Sequence, residues 1–174
     1  MVVLFRGGKG GRNVVLRFKT PSIHIAYDWQ WEGTHIEKVI DFLDRAGYKK
    51  KNLIFYVLHN FFDEQYKKGD TPADFIHSLQ DLMKWGASAY PMRYIPLNSL
   101  TRRGFVSPLW TEEQLEMIAD ARRVLGYAGT FVNYRALANK IIEATTFEEA
   151  LFLRPKASEL ANQKRIPTPM TEGY

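Results

Sequence analysis

The segment "NLIFYVLHNF", residues 52–61, decides the fold of this 174-residue chain. It is a nearly continuous apolar run, which is typical of a strand covered on both faces in a parallel sheet. Such a strand needs a hydrogen-bonded neighbour on each side. Two segments have the composition of those neighbours, "SIHIAYDW" (22–29) and "ASAYPMRYI" (87–95).

Amphipathic helices are expected after each of these strands. Apolar residues recur at spacings of three and four in "THIEKVIDFLDRAG" (34–47) and in "TPADFIHSLQDLMKWG" (71–86). Further helices are predicted at 111–126, 133–144 and 146–153. The alternation predicts an α/β fold of three consecutive βα units, with a parallel sheet, residues 52–60 as its middle strand, and C-terminal helices.

The βα pattern occupies residues 21–154, which we interpret as one domain flanked by two shorter segments. Residues 1–20 are expected to form a basic, glycine-rich arm, or a hairpin around the loop "GGKGGRN". This loop lacks the G-x-x-x-x-G-K-[ST] spacing of a phosphate loop. Residues 155–174 lack hydrophobic periodicity and are expected to form an extended tail.

Composition and charge exclude several classes of protein. The chain has no cysteine, so it cannot bind an iron–sulfur cluster through its own thiolates. It has neither a signal peptide nor an apolar run of about 18 residues, which predicts a cytoplasmic protein that does not enter a membrane. The net charge of +5 comes from the basic residues of the arm 1–20, which is therefore a candidate contact for nucleic acid.

Polar residues follow each predicted strand, where parallel βα folds bind their ligands. The strand ends carry Asp28 and Trp29, His59 and Asn60, and Arg93 and Tyr94. This set predicts a site for a polar or anionic ligand. Structural interpretations remain open for each residue: Asp28 as a loop cap, His59 and Asn60 as partners of loop backbone, and Arg93 as an ion-pair partner of Asp28. Asp63 and Glu64 are weaker candidates, for a ligand amine.

The segments "SIHIAYDW", "NLIFYVLHNFFD", "DTPADFIHSLQDLMKWG" and "AYPMRYIPL", in this order, resemble the C-terminal half of radical S-adenosylmethionine (SAM) proteins. The resemblance covers roughly residues 20–97. It implies half of a partial TIM-like βα barrel, of which this chain would supply the last three units. It also implies SAM contacts from the strand ends at Asp28 and Trp29, at 57–60, which include His59 and Asn60, and at Met92, Arg93 and Tyr94.

The same resemblance suggests that "YPMRY" leaves its ladder at Pro91 to present Met92, Arg93 and Tyr94 to a ligand. The family binds its iron–sulfur cluster through three cysteines, which this chain does not have. The expected function is therefore the SAM- and substrate-contacting part of a radical SAM-type enzyme, not catalytic alone, whose cluster lies on a partner chain or on absent sequence. Self-association is the other expected way to complete the barrel. The alternatives are an inactive binding module and a nucleic-acid-associated protein that uses residues 1–20. The sequence identifies no catalytic residue and no metal ligand.

Overall fold

The computed structural model describes residues 22–99, 101 and 104–153. The arm 1–20 and the tail 155–174 lie outside the described residues. In chain order, the elements are β1 (Ile23–Tyr27), α1 (Gly33–Arg45), β2 (Leu53–His59), β3 (Phe62–Asp63), β4 (Lys68–Gly69), α2 (Pro72–Trp85), β5 (Ser88–Arg93), α3 (Glu112–Val124), α4 (Arg135–Glu143) and α5 (Phe147–Leu151).

The main sheet has three parallel strands in the order β1–β2–β5. Phe55 of β2 is aligned with Ile25 on one side and with Ala89 on the other. This arrangement confirms the predicted α/β fold with its parallel sheet and with residues 52–60 in the middle. The loop after β2 contains a short antiparallel hairpin, β3–β4, that pairs Phe62 with Gly69.

The two faces of the sheet differ in burial. On β2, Leu53, Phe55, Val57 and His59 are buried, whereas the residues between them are only half-buried. The buried face packs against the helices, with α2 in contact with both β2 and β5. The expectation of a strand covered on both faces is therefore wrong for the described residues. Large apolar side chains occupy both sides of β2, and the composition alone does not show that one side is partly open.

The half-exposed face carries a row of rings across all three strands. The ring centres of His24 and Tyr56 are 5.4 Å apart, and those of Tyr56 and Tyr90 are also 5.4 Å apart. Met92 lies further along β5 and is 40% exposed. An aromatic, partly solvated face of this kind favours contact with further protein or with a ligand.

Strand β5 does not leave the sheet at Pro91, contrary to the sequence expectation. Pro91 is aligned with Val57, and the pairing continues through Arg93, which is aligned with His59. Ala89 exchanges hydrogen bonds with Phe131 on the side away from β2 (3.1 and 2.8 Å). Because backbone N–H groups alternate in direction along a strand, the missing N–H of Pro91 also faces away from β2 and removes no bond of the parallel ladder.

Capping residues define the limits of the helices beside the sheet. Thr71 and Asp74 form a capping box at the start of α2, and Gly86 ends that helix with a φ of 85°. Thr111 and Gln114 form the same arrangement at the start of α3, as their spacing in the sequence predicts. Among the helices in the described part of the chain, none is long and apolar enough to cross a membrane.

Candidate functional site

A cleft of about 270 Å³ lies at the carboxyl ends of β1 and β2. Its walls combine carboxylates with indole rings, from Asp28, Asp70, Asp74, Trp29 and Trp31. Leu58 and Phe75 supply apolar surface. The loops that follow parallel strands place these groups at the edge where βα folds bind ligands.

The electrostatic environment of the cleft is acidic. The carboxylate of Glu32 accepts hydrogen bonds from the backbone N–H groups of Asp28 and Trp29 (3.1 and 3.3 Å). Partial burial and the nearby charge of Glu32 raise the pKa of Asp28 above its ordinary value. Among the described residues, no ion pair neutralises Asp28, Asp70 or Asp74. A cationic ligand would therefore be favoured over an anionic one in this cleft.

Asp70 lies at the floor of the cleft and is buried. Its carboxylate accepts hydrogen bonds from the backbone N–H groups of Asn60 and Phe61, and these bonds favour the ionised form. Burial outweighs them and raises the pKa of Asp70 to about 6. The indole N–H of Trp110 donates to the Asp70 carbonyl (2.8 Å) and fixes the backbone there.

Asn60, expected to contact a ligand, is fully buried and bonded within the protein. It adopts a left-handed conformation with a φ of 66°. Its side-chain amide donates to the carbonyls of Tyr94 (3.2 Å) and Phe105 (3.1 Å), and its side-chain oxygen accepts from the Ser107 N–H (2.8 Å). Asn60 thus joins the end of β2 to the end of β5 and to the following loop, which is a structural role.

His59 and Arg93 lie on the helix-covered face, because each ends its strand at a position aligned with the other. The ring of His59 packs against Phe75 and Trp110, with ring centres 5.2 and 5.8 Å away. The Arg93 guanidinium donates to the Phe105 carbonyl (2.8 Å). Strand β2 separates the strand of Arg93 from that of Asp28, so the two side chains do not share the cleft.

Tyr94 is connected to the cleft by a row of edge-to-face aromatic contacts. Phe61 contacts Trp29 on one side (5.4 Å between ring centres) and Tyr94 on the other (4.9 Å). Tyr94 in turn contacts Phe105 (5.8 Å). The row runs across the carboxyl ends of all three strands and provides a continuous ring surface beside the acidic cleft.

The structure thus divides the predicted site residues between different places. Asp28 and Trp29 line the cleft, Tyr94 ends the aromatic row, and Met92 lies on the half-exposed sheet face. His59 and Arg93 lie together elsewhere.

The weaker candidates, Asp63 and Glu64, have local contacts. The Asp63 carboxylate accepts hydrogen bonds from the backbone N–H groups of Gln65 and Tyr66 in the hairpin turn. Glu64 forms an ion pair with Lys67 (2.7 Å).

The sequence reasoning missed Trp31, Asp70 and Asp74. The predicted site residues lie at strand ends or in the loop after β2, whereas these three residues lie at the entrances of the helices that follow. The signal for Asp70 and Asp74 was present, because both flank the Thr-Pro start of α2, which must begin near the same edge of the sheet.

No known protein family, curated protein or solved structure matches this chain. Within the described residues, no group of three or more His, Asp or Glu side chains is arranged to hold a metal ion.

Proposed function

We propose that the acidic cleft binds a small organic cation, and that this cation is SAM. The supporting observation is the combination of unneutralised carboxylates with indole rings at the carboxyl ends of two adjacent parallel strands. Indole faces attract organic cations by cation–π interaction, and carboxylates attract both the ammonium and the sulfonium charge of SAM.

The residues present fit SAM as a bound group. Asp28 and Trp29 would hold its charged part, and the ring surface that leads to Tyr94 would receive its adenine. When bound beside a reduced iron–sulfur cluster, SAM supplies a radical for difficult C–H chemistry. The role of this chain is to bind and orient SAM and to exclude water from it.

The cluster itself does not fit this chain, because the sequence has no cysteine to ligate its iron. We therefore propose that a cluster-bearing partner chain completes the site. The half-exposed face of the three-stranded sheet would then become the inner wall of a βα barrel, of which this chain would supply half. A SAM-binding module without catalysis is the alternative that the same cleft supports.

The proposal can be tested by isothermal titration of SAM into the wild-type protein and two variants. Asp28→Asn should weaken SAM binding by about tenfold, because one charged contact is lost. Asp41→Asn, an exposed change on α1, is the matched control and should leave binding unchanged. S-adenosylhomocysteine, which lacks the sulfonium charge, should bind more weakly than SAM to the wild type.

Absence of SAM binding would contradict the proposed ligand. Equal binding of SAM and S-adenosylhomocysteine, or equal affinity in wild type and Asp28→Asn, would contradict recognition of the cation by the acidic cleft. Co-purification of a cluster-bearing chain would distinguish the enzyme part from the inactive module.

A further inference from the structure

A second cavity, of about 200 Å³, lies between the carboxyl end of β5 and helix α3. Two guanidinium groups and an imidazole line it, from Arg93, Arg122 and His59. Leu115 and Ile118 form an apolar wall, and Glu116 is an exposed carboxylate at its margin. None of these residues lines the acidic cleft, so the two sites are separate.

Arg122 is held in place by contacts that leave its charge unneutralised. Its Nε–H donates to the Gly129 carbonyl (3.2 Å), and its guanidinium carbon lies 4.4 Å from the centre of the Tyr90 ring. Among the described residues, no carboxylate forms an ion pair with Arg122. A guanidinium has five N–H donors, so donors remain for a ligand after the bond to Gly129.

His59 lies at the inner end of the cavity and is only 2% exposed. Its Nδ1 has no hydrogen-bond partner of good geometry, although the Val57 carbonyl is close enough to favour protonation slightly. Burial, together with the charges of Arg122 and Arg93, lowers the pKa of His59 to about 3. The positive charges of Arg93 and Arg122 therefore act on the imidazole of His59 at the inner end of the cavity.

We propose that this cavity binds the oxyanion group of a small ligand, a phosphate or a carboxylate, between Arg93, Arg122 and His59. Guanidinium groups bind such oxyanions with two parallel N–H···O bonds. The cavity volume exceeds the roughly 30 Å³ of one water several times, which leaves room for the anionic group and a short apolar part. Leu115 and Ile118 would contact that apolar part.

The proposal predicts a specific response of His59 to anions. An oxyanion would oppose the effect of the two arginines, so the pKa of His59 should rise when the anion binds. The imidazole resonances of His59 can be followed by heteronuclear NMR while sodium phosphate or sodium acetate is added. Sodium chloride at the same ionic strength serves as the control for screening.

Saturable shifts with phosphate or acetate, but not with chloride, are expected for the wild type. The tighter of the two ligands identifies the phosphoryl or the carboxylate class. Arg122→Gln should weaken the response by about tenfold. Arg123→Gln is the matched control, because Arg123 is the adjacent residue of α3, is exposed and pairs with Asp120 (2.8 Å).

A second variant guards against a folding defect in Arg122→Gln. Ala119 lines the mouth of the cavity and is exposed, so Ala119→Phe should block entry without removing either arginine. The oxyanion site would be refuted if the His59 shifts in the wild type did not saturate with added phosphate or acetate. It would also be refuted if Ala119→Phe and Arg122→Gln left those shifts unchanged.

Discussion

Replacement of Asn60 by alanine should lower the free energy of unfolding by about 3–7 kcal/mol, because it leaves buried groups without partners. The Tyr94 carbonyl and the Ser107 N–H each lose the Asn60 side chain as their partner. The Phe105 carbonyl keeps its bond from Arg93. Each orphaned group costs about 1–3 kcal/mol, and alanine at a φ of 66° adds roughly 1 kcal/mol of backbone strain.

This loss is a large part of a typical total stability of about 5–15 kcal/mol, so urea unfolding followed by tryptophan fluorescence will resolve it. Asn60→Gly removes the same side-chain bonds without the strain and should be about 1 kcal/mol more stable than Asn60→Ala. Asn139→Ala, an exposed change on α4, should stay within about 0.5 kcal/mol of wild type.

A loss below about 1 kcal/mol in Asn60→Ala would refute the role of Asn60 as a buried link between β2 and β5. An Asn60→Gly variant less stable than Asn60→Ala would refute the contribution of the left-handed backbone.

The remaining predictions concern protonation, helix capping and assembly. Because the folded pKa of His59 is about 3, the unfolded chain takes up its proton first, and stability is lost as the pH falls below about 6.5. His59→Phe should reduce the drop in urea midpoint between pH 7 and pH 4.5, and an equal drop would contradict this. The pKa of Asp70 is raised to about 6, so its contribution to stability depends on pH in the opposite direction. The contribution is most favourable below the pKa of Asp in the unfolded chain and is lost as the pH rises through 6. The free energy of unfolding of Asp70→Asn, taken relative to that of wild type, should therefore rise by up to about 3 kcal/mol between pH 4 and pH 7. A relative free energy that does not change with pH would exclude this titration. Thr71→Ala should cost about 1 kcal/mol by removing the cap of α2, whereas the exposed change Thr34→Ala should cost less in the same urea assay. The isolated chain should sediment as a dimer or larger species at tens of micromolar because one sheet face is half-exposed, and a cooperatively melting monomer would count against this.

The strands and helices could be predicted because each carries its own local signal. The apolar run of β2 gave its central position, and the predicted limits of all three strands lie within two residues of those observed. The starts of α2 and α3 could be predicted equally well from their capping residues. The Thr side chain at each start accepts a hydrogen bond from a backbone N–H only three residues later.

The hydrogen-bond partners of Asn60 could not be predicted, because they come from distant parts of the chain. Asp70 reaches the backbone of Asn60 only because the β3–β4 hairpin turns the chain back on itself. Ser107 approaches from the loop after β5, 47 residues away. No local pattern indicates such contacts, so the sequence left Asn60 as a candidate ligand residue.

The position of Arg93 is a different case, because part of the information was present in the spacing. Side chains alternate between the faces of a strand, so neighbouring residues at one strand end point to opposite sides. At the end of β2, Leu58 lines the acidic cleft and the next residue, His59, lines the arginine-lined cavity. Arg93 follows the face of His59 because the two are aligned across the ladder. Treating all strand ends as one rim merged two separate sites, one lined by carboxylates and the other by two arginines. Because no residue lines both sites, a ligand of either charge can be tested at one site with variants that leave the other site intact.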